Sequence, residues 1–182
     1  MEARRRRFEA QVLPHLDAAY RLARWLAHSR EGVDDVVQDA VLRAYRGFDA
    51  LRNPDAKAWF LAIVRNCHCS ALKAPSRHWE PLPDEDQLRD GHDHAALCDA
   101  AADPERSAMQ GEQARALRAL VEALPEEFRE VLVLKEFEDM SYRQIATVTG
   151  APLGTVMSRL SRARSSLRKG WLSQPGDRRA VP

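Results

Sequence analysis

The chain has 182 residues, 28 of them basic and 27 acidic, with three cysteines, which is long enough for one or two domains with true cores. Near-neutrality excludes a free-standing polycation, three cysteines exclude a fully paired disulfide framework and suit a reducing cytosol, and no stretch approaches the roughly 20 apolar residues that span a bilayer. The charge is segregated instead: residues 75–113 carry ten acids against three bases, and residues 141–182 carry eight bases against one acid. Attraction to nucleic acid is therefore expected to be local, and to depend on how the basic parts are presented.

The Arg4 to Arg7 run does not open an export signal, because Phe8, Glu9, Ala10 and Gln11 follow it in place of a continuous apolar core. It reads as a solvated tail. Phe8, Val12, Leu13, Leu16, Ala19, Tyr20, Ala23 and Leu26 recur with helical period, and Pro14 either kinks that helix or starts its main part. After Gly32 the pattern is the cleanest in the chain. Val36, Val37, Ala40, Val41, Ala44, Tyr45 and Phe48 form one stripe, leaving Asp35, Gln38, Asp39, Leu42 and Arg46 on a shared outer face. Asn53 and Pro54 read as the N-cap and first residue of a third helix. That helix is expected to bury Trp59, Phe60, Ile63, Val64, Cys67 and Ala71 and to turn Lys57, Arg65, Asn66, Ser70 and Lys73 outward. Three such helices suffice for a first domain over residues 8–74.

Residues 75–102 hold three prolines, many acids and no sustained apolar period, the composition of a flexible linker or of a segment laid along a partner. Asp103, Pro104 and Glu105 restart a helix, with Leu117, Leu120, Val121 and Leu124 as its core side, and a further helix runs through Phe128, Val131, Leu132, Val133 and Phe137. Then comes SYRQIATVTGAPLGTVMSRLSRARSSLRKGWL at residues 141–172. Ser141 is a good N-cap, Gly150 stands where a helix end needs positive φ, and Pro152 cannot continue the same ladder. From about Leu153, Val156, Leu160, Ala163, Leu167 and Trp171 draw a single stripe. The opposite side carries Thr155, Ser158, Arg159, Ser161, Arg162, Ser165, Ser166 and Lys169, with no acid between Thr155 and Gly176 to pair the bases locally. Two helices joined by a tight glycine turn, the second with hydroxyls and arginines outward, describe a DNA-binding helix-turn-helix. This second domain spans residues 103–172, and residues 173–182 read as a tail. The fold class expected is all-α, two small helical domains joined by an acidic flexible linker.

The ordered set DDVVQDAVLRAY (34–45), AWFLAIVRN (58–66) and LPEEFREVLVLKEFEDMSYRQIATVTGAPLGTVMSRLSRAR (124–164) closely resembles the bacterial RNA polymerase sigma factors of the extracytoplasmic-function (ECF) class. The likeness covers both domains, and its two motifs in the right order make it specific. It implies a cytoplasmic, non-enzymatic protein without cofactor or metal that binds core RNA polymerase and directs initiation at promoters. It implies that Asp35, Gln38 and Asp39 hold the polymerase, and that Arg52, Asn53, Lys57, Arg65 and Asn66 act in melting the minus-ten element. Strand separation costs a few kcal/mol per unstacked step, which polymerase contacts must offset. It further implies that the recognition helix reads the minus-thirty-five element through Met157, Ser158, Ser161 and Arg162, with Thr155 and Arg159 on phosphates. Met157 departs from the Lys or Arg common at that position. An anti-sigma factor covering both domains is a further partner implied by the resemblance.

Two rival readings follow from the residues. A helix-turn-helix regulator acting apart from polymerase would lack the Asp35, Gln38, Asp39 face. A metal or redox site from Cys67, His68, Cys69, His92, His94 and Cys98 lacks any CxxC pair, and Cys67 falls in the apolar stripe. No acid/base pair, phosphate-cradling loop or nucleophile arrangement marks an enzyme.

Overall fold

The computed structural model describes residues 2–27, 32–51, 55–73 and 104–173, with the side chains of 50, 73 and 104–110 left aside. Among them all regular structure is helical. Helix α1 (Glu2–Gln11) is followed by a 3₁₀ turn at Leu13–His15, then α2 (Leu16–Leu26) and α3 (Val33–Gly47). A second 3₁₀ turn (Phe48–Ala50) leads to α4 (Ala56–Lys73), and the C-terminal part comprises α5 (Pro104–Glu122), α6 (Glu126–Glu136), α7 (Tyr142–Thr149) and α8 (Leu153–Leu172). The acidic stretch 75–102 and the tail beyond Ser173 lie outside the described residues.

Pro14 sits in the first turn of the 3₁₀ segment, where a missing N–H costs nothing, so the chain breaks there and α2 begins afresh. The arginine run is not a solvated tail. It is helical, and it docks on the end of α3. The Arg4 guanidinium lies 4.6 Å from the Tyr45 ring centroid, donates to the Tyr45 carbonyl at 2.7 Å and pairs with Asp49 at 2.9 Å. Arg7 lies over Phe48. Phe8, beside them, packs edge-on against Tyr45 and Phe48, the arrangement the ring quadrupoles favour. Helix α4 starts later than its Asn-Pro pair suggests: Asp55 caps it, its carboxylate accepting from the Ala58 N–H at 3.0 Å.

The two helical regions share one core. Helix α4 packs on α2, α3 and α7, and α2 packs on α6, so the buried set runs without a break from Phe8, Leu22, Phe60 and Val64 to Leu134, Met140, Ile145 and Val148. Helix α6 lies in the middle. Every residue from Arg129 to Leu134 is buried, with Val131, Val133 and Leu134 in the shared core and Leu132 in a smaller cluster with Val121, Leu124 and Ala163. A surface helix shows one apolar stripe; this one is covered on two sides. Some expected core positions lie outside it: Leu13, Leu117 and Phe137 are exposed, as is Ala71, while Leu22 and Leu61 are fully buried.

Candidate nucleic-acid interface

The helix-turn-helix follows from local chemistry. Ser141 accepts from the Gln144 N–H, and the Gln144 side chain accepts from the Ser141 N–H at 2.7 Å, a reciprocal cap that satisfies two donors at the start of α7. Gly150 ends α7 at φ 67°, a conformation that disfavours any side chain, and Pro152 precedes α8 in an extended conformation. Val156, Leu160 and Ala163 are buried. Near the far end of α8, a Cβ on Gly170 would come within 2.6 Å of Leu120, so the glycine permits close approach of α5.

On the opposite face Met157, Ser158, Ser161 and Arg162 are all exposed, and Thr155 and Arg159 are half-buried beside them. The four exposed residues lie within little more than one turn, on one side of the helix. The basic face has acidic partners after all, drawn from α6 and not from α8. Arg159 pairs with Glu127 at 2.6 Å and Arg164 with Glu136 at 2.7 Å. Arg162, Arg168 and Lys169 are exposed and have no ion pair among the described residues. A helix that offers a guanidinium, two hydroxyls and a thioether on one accessible face has donors for guanine edges and phosphates and an apolar group for a thymine methyl.

On α3, Asp35, Gln38, Leu42 and Arg46 are exposed along one line. Asp39 is more committed: it pairs with Arg43 at 2.8 Å, and Cys67 lies against it. Burial first, then the Asp39 charge, push the Cys67 thiol up to about 11, so this cysteine is a neutral core residue at physiological pH. Among the described residues no group of three or more His, Cys, Asp or Glu side chains could hold a metal ion; His92, His94 and Cys98 lie outside them.

Helix α4 departs most from expectation. Arg52 and Asn53 lie outside the described residues, and Asn66 is exposed. Lys57 and Arg65 are only partly exposed, 27% each; they reach across to α6 and the loop after it. Lys57 donates to the Glu138 carbonyl at 2.8 Å and lies 2.9 Å from its carboxylate, which Arg21 of α2 holds from the other side at 2.7 Å. Arg65 meets Glu130 at 2.5 Å. Asp55 accepts from the Gln144 amide at 2.7 Å, so the cap of α4 and the cap of α7 are joined. The Glu138 side chain is fully covered. Burial pushes its carboxyl upward, but the hydrogen bonds from Arg21 and Lys57 outweigh this and hold it below the usual carboxylate range. In Glu130 burial wins over Arg65, and the carboxyl lies above that range. None of Arg21, Glu130, Glu138 or Gln144 stood out as a site residue in the sequence, although a glutamate interrupts the apolar run of α6.

Residues 12–78 match the family Sigma-70 region 2, and residues 114–167 match Sigma-70, region 4. The RNA polymerase sigma-H factor of Pseudomonas aeruginosa is 34% identical over 171 residues, covering 91% of this chain and 86% of its own. The ECF RNA polymerase sigma-E factor of Escherichia coli is 32% identical over 137 residues, 74% of this chain and 71% of its own. The chain belongs to the ECF sigma factors. Solved structures with the same fold include the sigma factor RpoE of Bartonella quintana in complex with the anti-sigma factor NepR, with TM-score 0.67 and 23% identity over 92% of this chain and 98% of that one. CnrH in complex with the cytosolic domain of CnrY superposes with TM-score 0.62 and 25% identity, covering 93% and 90%. The sigma factor's region 4 thus contains the second half of α5, all of α6 and α7 and most of α8, and its region 2 contains α2 to α4. No helix among its described residues is long and apolar enough to cross a membrane.

Proposed function

We propose that this sigma factor binds core RNA polymerase in the cytoplasm through the α3 face carrying Asp35, Gln38 and Asp39, and directs initiation at promoters of a specific set of genes without itself catalysing a reaction. Region 4 reads duplex minus-thirty-five DNA through Met157, Ser158, Ser161 and Arg162, with Thr155 and Arg159 on phosphates. Region 2 opens the minus-ten element with Arg52, Asn53, Lys57, Arg65 and Asn66. The functional domains are assigned to residues 8–74 and 103–172. One observation carries the reading: the four base-reading positions of α8 form a single exposed face on a helix-turn-helix that is attached to a region 2 domain. An anti-sigma factor is assigned as a further partner, by likeness to the B. quintana RpoE complex.

Pull-down against core polymerase followed by run-off transcription on pooled genomic fragments tests this. Polymerase binding with selective initiation is expected. Tight binding to duplex DNA with no binding to polymerase would instead establish a helix-turn-helix regulator acting alone. Replacing Asp35 and Gln38 together by Ala is expected to abolish co-purification with core enzyme while leaving helicity intact.

A further inference from the structure

We propose that the arginine helix α1 is an added DNA-backbone contact, in which Arg7 takes a phosphate of promoter DNA beside the minus-ten element. The proposal rests on the assignment of Arg52, Asn53 and α4 to that element, because α1 docks where the chain leads into it. Helix α1 comes before the residues matched to region 2, 12–78, yet it is built onto that region. Phe8 anchors it on Tyr45 and Phe48, and the turn Phe48–Ala50 leads along the chain toward Arg52. The end of α3 lies in turn against the first turn of α4, since a Cβ on Gly47 would meet the Trp59 ring at 3.8 Å. The four arginines are thus fixed on the part of region 2 that handles the opened strand.

Successive residues of a helix turn by about 100°, so four arginines in a row meet four surroundings. Arg4 faces inward and serves the fold, on the Tyr45 ring, the Tyr45 carbonyl and Asp49. Arg5 pairs with Glu9 at 2.7 Å and Arg6 with Glu2 at 2.5 Å, both along α1 itself. Arg7 differs. It is exposed, its guanidinium lies 5.5 Å from the Phe48 ring centroid, and among the described residues it has no ion pair. Three residues after Arg4, it shares the side of α1 that meets the end of α3, whereas Arg6 lies on the far side. A guanidinium seated over a ring keeps N–H donors at its rim, and a phosphate accepts from that rim. Such a contact carries no base preference and weakens with salt.

The test uses holoenzyme on a promoter recovered by the run-off selection, and it compares two neighbouring arginines. Arg7→Gln is expected to weaken promoter binding about fivefold, equivalent to roughly 1 kcal/mol. The loss should be alike on all sequences, and the logarithmic salt dependence should become shallower by about one released ion. Arg6→Gln removes the same charge from the next position, on the far side of α1, and is expected to change affinity less than about twofold, the residue of long-range steering. Replacing phosphates of the non-template strand through and on either side of the minus-ten element, one at a time, by neutral methylphosphonate then locates the contact. At one position wild-type holoenzyme should fall to the level of Arg7→Gln, and the variant should lose nothing more.

Unchanged affinity in Arg7→Gln overturns the proposal outright. Equal losses from Arg6→Gln and Arg7→Gln overturn it in favour of diffuse charge with no fixed contact. Loss of core polymerase co-purification by Arg7→Gln would give α1 to a protein partner instead, and overturns it equally. So does a difference between wild type and Arg7→Gln that survives neutralisation at every one of those phosphates. The minus-ten assignment itself fails separately, if holoenzyme carrying Lys57→Ala forms open complexes as wild type does.

Discussion

Helices α4 and α8 both present cations suited to DNA, yet the protein treats the two faces differently. On α8 the apolar stripe is spent within region 4, against α5, α6 and α7, and the opposite face is left in solvent. On α4 the apolar stripe is too broad for region 2 alone, and its flank, with Lys57 and Arg65, closes against α6 and α7. Charge pattern alone would rank the two surfaces as equals. Packing leaves one of them open to solvent and holds the cations of the other in ion pairs with Glu138 and Glu130.

The largest effect expected is on the shared core that enforces this difference. Phe60 is fully buried in it, and Phe60→Ala is expected to cost about 3–5 kcal/mol through lost burial and the cavity left behind. Because the core spans both regions, denaturant unfolding followed by circular dichroism should still show one transition at lower midpoint. Two resolved transitions, with only one of them shifted, would mean that α4 and α7 do not unfold as a unit, and the contrast between the two faces would lose its basis.

Glu138→Gln comes next, with a stability loss of about 1–3 kcal/mol at neutral pH for a buried carboxylate that keeps charged partners. The pH dependence fixes the mechanism. The folded carboxyl lies below its ordinary value, so its contribution is fully present above the unfolded pKa and is lost as pH falls through the lower, folded one. Glu130 has the opposite sign. Its carboxyl is raised by burial, and protonation as pH falls relieves a penalty instead of removing a bond. Thermal melts of wild type and Glu138→Gln across pH should therefore stay apart through mildly acidic solution and converge only below the usual carboxylate range. Convergence nearer neutrality would show that Glu138 is not the charged centre of the contact.

On the open face, Arg162→Ala is expected to cost about 1–3 kcal/mol in promoter affinity and to relax preference at one position of the minus-thirty-five element. Competition binding by holoenzyme on a randomised element measures both. An equal loss on every sequence would make Arg162 a phosphate contact, and the reading face would then reduce to Met157, Ser158 and Ser161.

Much of this arrangement was legible because its signals are local. The Ser141 and Gln144 cap, the left-handed Gly150 and the four- and three-residue spacing of Val156, Leu160 and Ala163 are each decided within one or two helical turns, so the helix-turn-helix and its outward residues could be placed from sequence. What sequence could not supply was the identity of long-range partners. Arg65 and Glu130 are 65 residues apart, and Lys57 and Glu138 are 81. An arginine that faces away from its own helix's stripe looks the same whether water or another domain lies beyond it. The same blindness produced the arginine tail that proved to be a docked helix, and the basic face of α8 that proved to have acidic partners on α6. One clue was present. The run from Phe128 to Leu134 has apolar residues on more than one side of a helix, a width that calls for cover on both flanks.

The smallest effect concerns those α6 partners, and it separates ion pairing as support from ion pairing as restraint. Arg159 is held by Glu127 at 2.6 Å, with Glu127 half exposed, and such pairs contribute about 0.2–1 kcal/mol. Glu127→Gln should therefore shift the melting midpoint only slightly. On DNA it should do more than its stability change suggests, because Arg159 lies beside the reading face and a freed guanidinium adds one phosphate contact. Holoenzyme affinity for promoter DNA is expected to rise for all sequences alike, and the logarithmic salt dependence to steepen by about one further released ion. If the slope is unchanged while affinity rises, Glu127 acts only by repelling the backbone. If neither changes, Arg159 keeps its place without Glu127, and the readiness of α8 owes nothing to α6.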